Sequence, residues 1–281
     1  MSISIKKLSK KFGIEIINFN LSKDLNKNTF KEILYAFNHY GLLLFRKQNL
    51  SIKKQVTLGR KFGKVQIHVV NQNHSEGHPE IYLLSNLDEK GNPLGQHPDQ
   101  GSLHWHTDGS WRKKSGQATI MVADIIPSKG GETKFCCMES AYIDLSDSIK
   151  NKISNMYAVH NLDFSRNRRH GHDPLSRDQK NKAPPVTHPI VRTHPITKRK
   201  SLFLGDHAEY IKNMDYKKGR RFIEKLNKLA IDSKYVYTHK YNKGDVLAWD
   251  NRRLLHKGMK YNTFKYKRVM RRTTIVGTIP R

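Results

Sequence analysis

Trp105-His106-Thr107-Asp108, taken with Trp249-Asp250-Asn251-Arg252-Arg253-Leu254-Leu255-His256 far downstream, decides how this chain is read. A His-x-Asp pair on a strand turns both side chains to one face, because strand side chains alternate with period two. A distant second histidine then completes two imidazoles and one carboxylate on one side of a metal. The opposite coordination positions stay open, and that donor set suits ferrous iron in oxygen-using enzymes. Zinc is the rival metal, since three protein ligands plus water is also its catalytic arrangement. Short motifs recur by chance, so His-x-Asp alone carries little weight. A third element raises it: Arg268-Val269-Met270-Arg271-Arg272 follows His256 by 12 residues. An arginine there is placed to hold an anionic co-substrate, because its planar fork grips a carboxylate through two parallel hydrogen bonds.

These residues carry a resemblance. The chain resembles the taurine dioxygenase / phenoxyacetate dioxygenase (TauD/TfdA) family of iron(II)- and 2-oxoglutarate-dependent enzymes. The matching segments are Trp105 to Asp108, Gly130-Gly131-Glu132-Thr133, Val191-Arg192-Thr193-His194-Pro195, Trp249 to Arg252 and Arg268 to Arg272, in the family's order between about Phe62 and Gly277. The phenoxyacetate side is closer, through Gly131-Glu132-Thr133-Lys134-Phe135-Cys136 and Leu255-His256-Lys257-Gly258.

The resemblance implies iron(II) held by His106, Asp108 and His256, 2-oxoglutarate as co-substrate and O2 as oxidant, which argues against zinc. It places Arg268 and the Thr133 hydroxyl on the distal carboxylate of 2-oxoglutarate, and Arg272 and His68 beside the primary substrate. Arg268 and Arg272 are four apart and so share a face on a strand, while Arg271 points away. A buried arginine pair needs anions, and the expectation is one carboxylate from the co-substrate and one from the substrate. Asp250 and Asn251 read as groups that orient the distal ligand, Trp105 and Trp249 as core supports, and His74 and His104 as ordinary surface or core residues. Two departures weaken a taurine assignment: Asn71 stands where taurine enzymes have a tyrosine, and Ser102 where they have an asparagine. The expected activity is therefore hydroxylation of a small anionic, aryloxyalkanoate-like carboxylate. Sulfonates, alkyl sulfates, amino acids and betaines are the alternatives within the fold, and a basic nucleic-acid-binding module is the alternative outside it.

Composition bounds the remaining choices. At 281 residues one large domain spanning 1–281 has room for a well-buried core. Hydrophobic residues make up only 36%, but the deficit comes from lysine, since clusters such as Leu42-Leu43-Leu44-Phe45 remain. No run of about 18 apolar residues occurs, so nothing reads as a membrane span. The start of the chain lacks the apolar stretch of a secretory signal, and the neighbouring Cys136 and Cys137 cannot form an ordinary bridge with each other. A reduced cytoplasm is the expectation. The formal charge of +28 invites a nucleic-acid reading. Its basic residues are spread along the whole chain without a tail, which favours a lysine-rich surface and no nucleic-acid partner. The family suggests a dimer or tetramer.

Local pattern supplies the elements. Thr29 to Phe37 repeats apolar residues three and four apart after Asn26, which predicts a helix ending before Gly41. Ser51 predicts the cap of a second helix, Ile52 to Phe62, ending at Gly63. Strands are predicted at Leu42 to Phe45, Ile81 to Leu84, Gln117 to Val122, Thr133 to Cys137, Tyr235 to Tyr241 and Val269 to Val276, with a helix at Lys218 to Ile231. The polar stretch from Asp163 to Ala183 has no clear period and reads as a long active-site loop or lid. Strands with helices gathered toward the N-terminal half suggest α+β. The resemblance adds a double-stranded β-helix (jelly-roll, cupin-like) core with buttressing helices.

Overall fold

The computed structural model describes residues 3–23, 25–170 and 175–281. The chain starts with strands β1 (Ser4–Lys7) and β2 (Ile14–Ile17), helix α1 (Lys27–Tyr40), strand β3 (Leu42–Phe45) and helix α2 (Ile52–Phe62). Strands β4 (His74–Ser75), β5 (His78–Ser85), β6 (Gly116–Ile125) and β7 (Thr133–Cys137) follow. Helices α3 (Met138–Ile143) and α4 (Asp147–Ile153) lead to β8 (Tyr157–His160), then α5 (Leu162–His170) and α6 (Arg177–Lys182). After β9 (Val186–Pro189), β10 (Val191–Thr193), β11 (Lys200–Leu202) and β12 (Ala208–Ile211) comes the long helix α7 (Tyr216–Ala230). Strands β13 (Val236–His239), β14 (Val246–Asp250), β15 (Leu254–Gly258) and β16 (Val269–Val276) finish the chain.

Capping chemistry places the helices. The Asn26 side chain accepts from the backbone N–H of Asn28 and Thr29, and α1 stops at Gly41, whose φ of 76° is the left-handed turn that glycine tolerates. Ser51 caps α2 through the Lys54 N–H, and Asp215 caps α7 through Lys218. The predicted strands at Leu42 to Phe45, Thr133 to Cys137 and Val269 to Val276 have the observed bounds.

An eight-stranded sheet runs in the order β1-β2-β3-β14-β6-β16-β5-β4, and a three-stranded sheet in the order β13-β7-β15. One core lies between them: Leu42, Leu44, Met121, Trp249 and Met270 of the large sheet meet Phe135 and Cys137 of the small one. The opposite face of the large sheet, with Leu43, Ile120 and Ala248, is covered by Ile33 and Phe37 of α1 and Leu58 and Phe62 of α2. The outer face of the small sheet, with Cys136 and Leu255, is covered by α3, α7 and the β12-β8-β9 sheet. Cys136 and Cys137 thus serve two different cores, as alternation requires. Each fully buried Leu or Phe contributes roughly 1.5–3 kcal/mol relative to exposure, so these layers fix the strand ends that carry the site.

Three expectations need correction. The stretch 163–183 is not an irregular loop, because α5 and α6 occupy most of it; its part at 171–174 lies outside the described residues. Ser176 and Gln179 form a reciprocal capping box that starts α6 without any apolar period. Helices are not gathered toward the N-terminal half, since α3 to α7 all follow β7. Finally, His106 and Asp108 do not share a strand. His106 makes a single antiparallel bridge with His256, extending the small sheet by one residue, and Asp108 lies in the turn that follows. Among the described residues, no helix is long and apolar enough to cross a membrane.

Candidate metal centre and active-site cavity

The bridge fixes two imidazoles together. The His106 N–H donates to the His256 carbonyl at 3.0 Å and the His256 N–H returns to the His106 carbonyl at 2.8 Å. The turn then brings back Asp108, so that one donor atom each from His106, Asp108 and His256 lies within 4.8 Å of the others, all three residues buried. The Nε2 atoms face the same carboxylate, His106 at 3.9 Å from Oδ1 and His256 at 3.7 Å from Oδ2. His106 Nδ1 lies 2.7 Å from the His104 carbonyl, which accepts its proton and leaves the Nε2 lone pair free for a cation.

Glycines make the turn tight. Gly109 has φ 70°, and at Gly116 an added Cβ would lie 2.3 Å from the Asp108 carbonyl oxygen. The Asp108 carboxylate is then locked from the large sheet. Thr119 Oγ1 on β6 donates to Oδ2 at 2.6 Å, and Asn251 Nδ2 donates to Thr119 Oγ1 at 2.8 Å. Asn251 Oδ1 accepts from the Asp108 backbone N–H at 3.2 Å and from Trp249 Nε1 at 3.0 Å. Arg272 Nη1 donates to Asp108 Oδ1 at 3.0 Å. Burial works to raise the Asp108 carboxyl, but the Arg272 guanidinium, helped by the Thr119 hydrogen bond, outweighs it and holds it well below the usual carboxylate range. Burial, with the neighbouring His106, holds the His256 imidazole well below its ordinary value and so neutral. A neutral His256 and an ionised Asp108 suit a divalent cation, whose ligands must give up their protons. The donor set fits ferrous iron.

Arg268 is only 4% exposed, and its Nε has no hydrogen-bond partner among the described residues. Its guanidinium lies 5.9 Å from the ring centroids of both Tyr241 and Tyr261. Burial lowers its affinity for the proton. The Tyr241 hydroxyl donates to Thr133 Oγ1 at 2.9 Å, which gathers Thr133 and Arg268 around one tyrosine. Gly131 lets the chain pass close by: a Cβ there would come within 3.4 Å of Arg268 Nε. A buried cation without an anion is costly. An anionic ligand seated there would remove that cost.

The Asp108 carboxylate meets Arg272 through Nη1, and the Arg272 Nε has no partner among the described residues. The guanidinium also lies 4.3 Å from the Tyr82 ring. Arg271 points the other way, with Nε and Nη2 on the Asp124 carboxylate at 2.5 and 2.8 Å. His68 packs edge-on against Tyr82 and Trp111, at 4.9 and 5.5 Å between centroids. Burial and the Arg272 charge push its imidazole down to about 3. His68, His106, Asp108 and Arg272 line one cavity of about 50 Å3. Ser102 lines it too. Asn71 instead accepts from Gln179 of α6 at 3.4 Å. His194 lies apart from the cavity in a structural knot, where its Nε2 and the Arg252 fork both engage the buried Asp250.

Sequence reasoning missed the cavity residues His207, Trp111 and Arg166. Burial and the nearby His106 push the His207 imidazole down to about 4. No local motif marks these residues; only the fold brings them to the metal centre.

Two imidazoles and an aspartate that converge on one point suit a divalent cation, and the buried Arg268 guanidinium just before the final strand, its Nε without a partner among the described residues, suits an anion. The family model described as taurine catabolism dioxygenase TauD, TfdA family matches residues 4–274, and the chain belongs to that family. The chain is 30% identical to an alpha-ketoglutarate-dependent 2,4-dichlorophenoxyacetate dioxygenase of Cupriavidus pinatubonensis, over 98% of each chain. It is 27% identical to an (S)-phenoxypropionate/alpha-ketoglutarate-dioxygenase of Sphingobium herbicidovorans, covering 98% of this chain and 96% of that one. Among solved structures it is similar to AAD-2 in complex with Mn(II) and N-oxalylglycine, with 31% identity, a TM-score of 0.87 and coverage of 100% of this chain and 98% of that one. The chain is an alpha-ketoglutarate-dependent dioxygenase, an oxidoreductase that uses iron(II), 2-oxoglutarate and O2.

Proposed function

We propose that this enzyme hydroxylates a small anionic carboxylate of the aryloxyalkanoate type, with His106, Asp108 and His256 holding the iron. Arg268 and Thr133 would hold the distal carboxylate of 2-oxoglutarate, and Arg272 and His68 would flank the primary substrate. The chain forms a single catalytic domain over 1–281 in this reading, and its facing sheets form a double-stranded β-helix. The observation that carries the proposal is the convergence of His106, Asp108 and His256 on one point, together with a buried Arg268 whose Nε has no partner among the described residues. Relatives named for 2,4-dichlorophenoxyacetate and phenoxypropionate support the substrate class.

Iron(II), with 2-oxoglutarate and O2, supplies an oxidant strong enough to hydroxylate a carbon that no side chain could activate. The protein's own residues do the rest. Thr119, Asn251 and Arg272 orient the Asp108 carboxylate and keep it ionised. Trp111 and the neutral His68 wall the cavity, limiting water beside the reacting carbon. If that carbon bears an ether oxygen, its hydroxylated product is a hemiacetal. The hemiacetal collapses by losing the phenol and leaves an oxo acid.

The test is a succinate-release screen with protein loaded anaerobically with iron(II), offered aryloxyacetates, sulfonates, alkyl sulfates and betaines. Aryloxyacetates should drive succinate formation in step with substrate loss, and His106→Ala should abolish it. Turnover on sulfonates or sulfates alone would move the substrate class, and full activity of His106→Ala would end the proposal.

A further inference from the structure

We propose that Arg166, on α5, binds the anionic head of the primary substrate. The inference rests on the reading that this substrate is a small anion, and it names the residue that selects for the charge. Leu162, Ser165 and Arg166 lie at spacings of three and four on α5 and so share a helix face. All three line the cavity that contains His106, Asp108 and Arg272. Arg166 Nε is buried and has no hydrogen-bond partner, and among the described residues no carboxylate pairs with its guanidinium. Its charge is felt at His68 and at Tyr82, alongside that of Arg272.

The other cations near the cavity each have a partner within the protein. Arg272 donates through Nη1 to Asp108 at 3.0 Å, while its Nε has no partner among the described residues. Arg169 is bound by the Asp206 carboxylate through Nε and Nη2, and Arg168 stacks on Phe164 at 5.0 Å. Arg166 brings to the α5 side of the cavity a guanidinium that no carboxylate of the described residues pairs with, and a partly buried guanidinium without an anion favours a carboxylate or sulfonate strongly. Asp99 adds a negative charge to the same lining, which narrows where an anion can sit. Leu162 and Trp111 supply apolar walls. The arrangement therefore takes a molecule with a short apolar body and one anionic end, the body toward the metal ligands and the charge toward α5.

Arg166 and Arg272 then have separable roles, which the experiment exploits. Wild type, Arg166→Gln and Arg166→Lys are assayed with 2,4-dichlorophenoxyacetate, with its neutral amide, and with an alkyl sulfonate and an alkyl sulfate. In Arg166→Gln the KM for the preferred anion should rise about tenfold or more, the scale of losing a charged hydrogen bond. Its KM for 2-oxoglutarate and its affinity for iron should stay unchanged, and discrimination against the neutral amide should vanish. Arg166→Lys should recover part of the loss, because the charge returns without the fork. An unchanged KM in Arg166→Gln, with wild type active, overturns the role of Arg166 and leaves the proposed function standing. A parallel loss of 2-oxoglutarate or iron binding overturns it equally, since the residue would then be structural. If wild type turns over none of the anions, the proposed function fails and this inference falls with it.

Discussion

At the scale of single residues, the site is a set of buried charges that would be unstable apart. Asp108 is acceptable in the interior because Thr119, Arg272 and, through its backbone, Asn251 all engage it. Such outer partners fix the orientation of a metal ligand, and losing one typically costs about 10–100-fold in metal affinity. Thr119→Val keeps the shape of the side chain and deletes only the hydroxyl. We expect it to weaken iron(II) or manganese(II) binding by about that factor, measured by titration, with the fold intact; undiminished affinity would show that the hydroxyl is dispensable. Asp250 makes a similar argument about stability. Burial alone would raise its carboxyl, but Arg252 and His194 hold it well below the ordinary range. A carboxylate depressed in the folded state stabilises the protein above its unfolded value of about 4 and loses that contribution as pH falls through and below it. Acid unfolding should therefore shift to a higher pH, closer to neutral, in Asp250→Asn, which leaves Arg252 without its anion at a cost of about 3–5 kcal/mol.

At the scale of elements, legibility followed locality. The strand at Val269 to Val276 and the α2 cap at Ser51 are written in consecutive residues, and both were readable. The sequence motifs named His106, Asp108 and His256, and the structure gathers their donor atoms, although through a turn after His106 and the middle of β15 rather than one shared strand. The lock on Asp108 was not readable, since Asn251 reaches it across 143 positions. Helix α5 was invisible for another reason: Leu-Asp-Phe-Ser-Arg-Asn-Arg-Arg-His offers almost no apolar period, and its burial of Leu162 and Ser165 comes from packing alone. The turn after His106 also escaped a strand-based reading, and only the structure shows that Gly109 and Gly116 make room for it. Gly116→Ala tests that turn. A methyl 2.3 Å from the Asp108 carbonyl must displace it, at a cost of about 1–3 kcal/mol for overpacking. The variant should lose iron affinity while β6 keeps its pairing, as read by metal titration beside circular dichroism; normal affinity would mean the turn yields elsewhere.

At the scale of the molecule, one property stands outside the site. With 52 basic and 24 acidic side chains, many cations have no anion to pair with, and such a surface repels itself. Raising ionic strength from about 0.01 to about 0.15 M shortens the screening length from about 30 to about 8 Å. The melting temperature should rise over that interval, and a flat or falling Tm would show that the charges sit too far apart to strain the fold. The proposed ligands also divide between layers: His106 and His256 belong to the small sheet and its one-residue extension, while Asp108 is tethered to the large one. An ion seated among them would act as a rivet through the sandwich. How tightly it is held would then depend on how the two layers are aligned, so the fraction of iron a variant retains through purification reports on that alignment, even when the altered residue lies far from any donor atom.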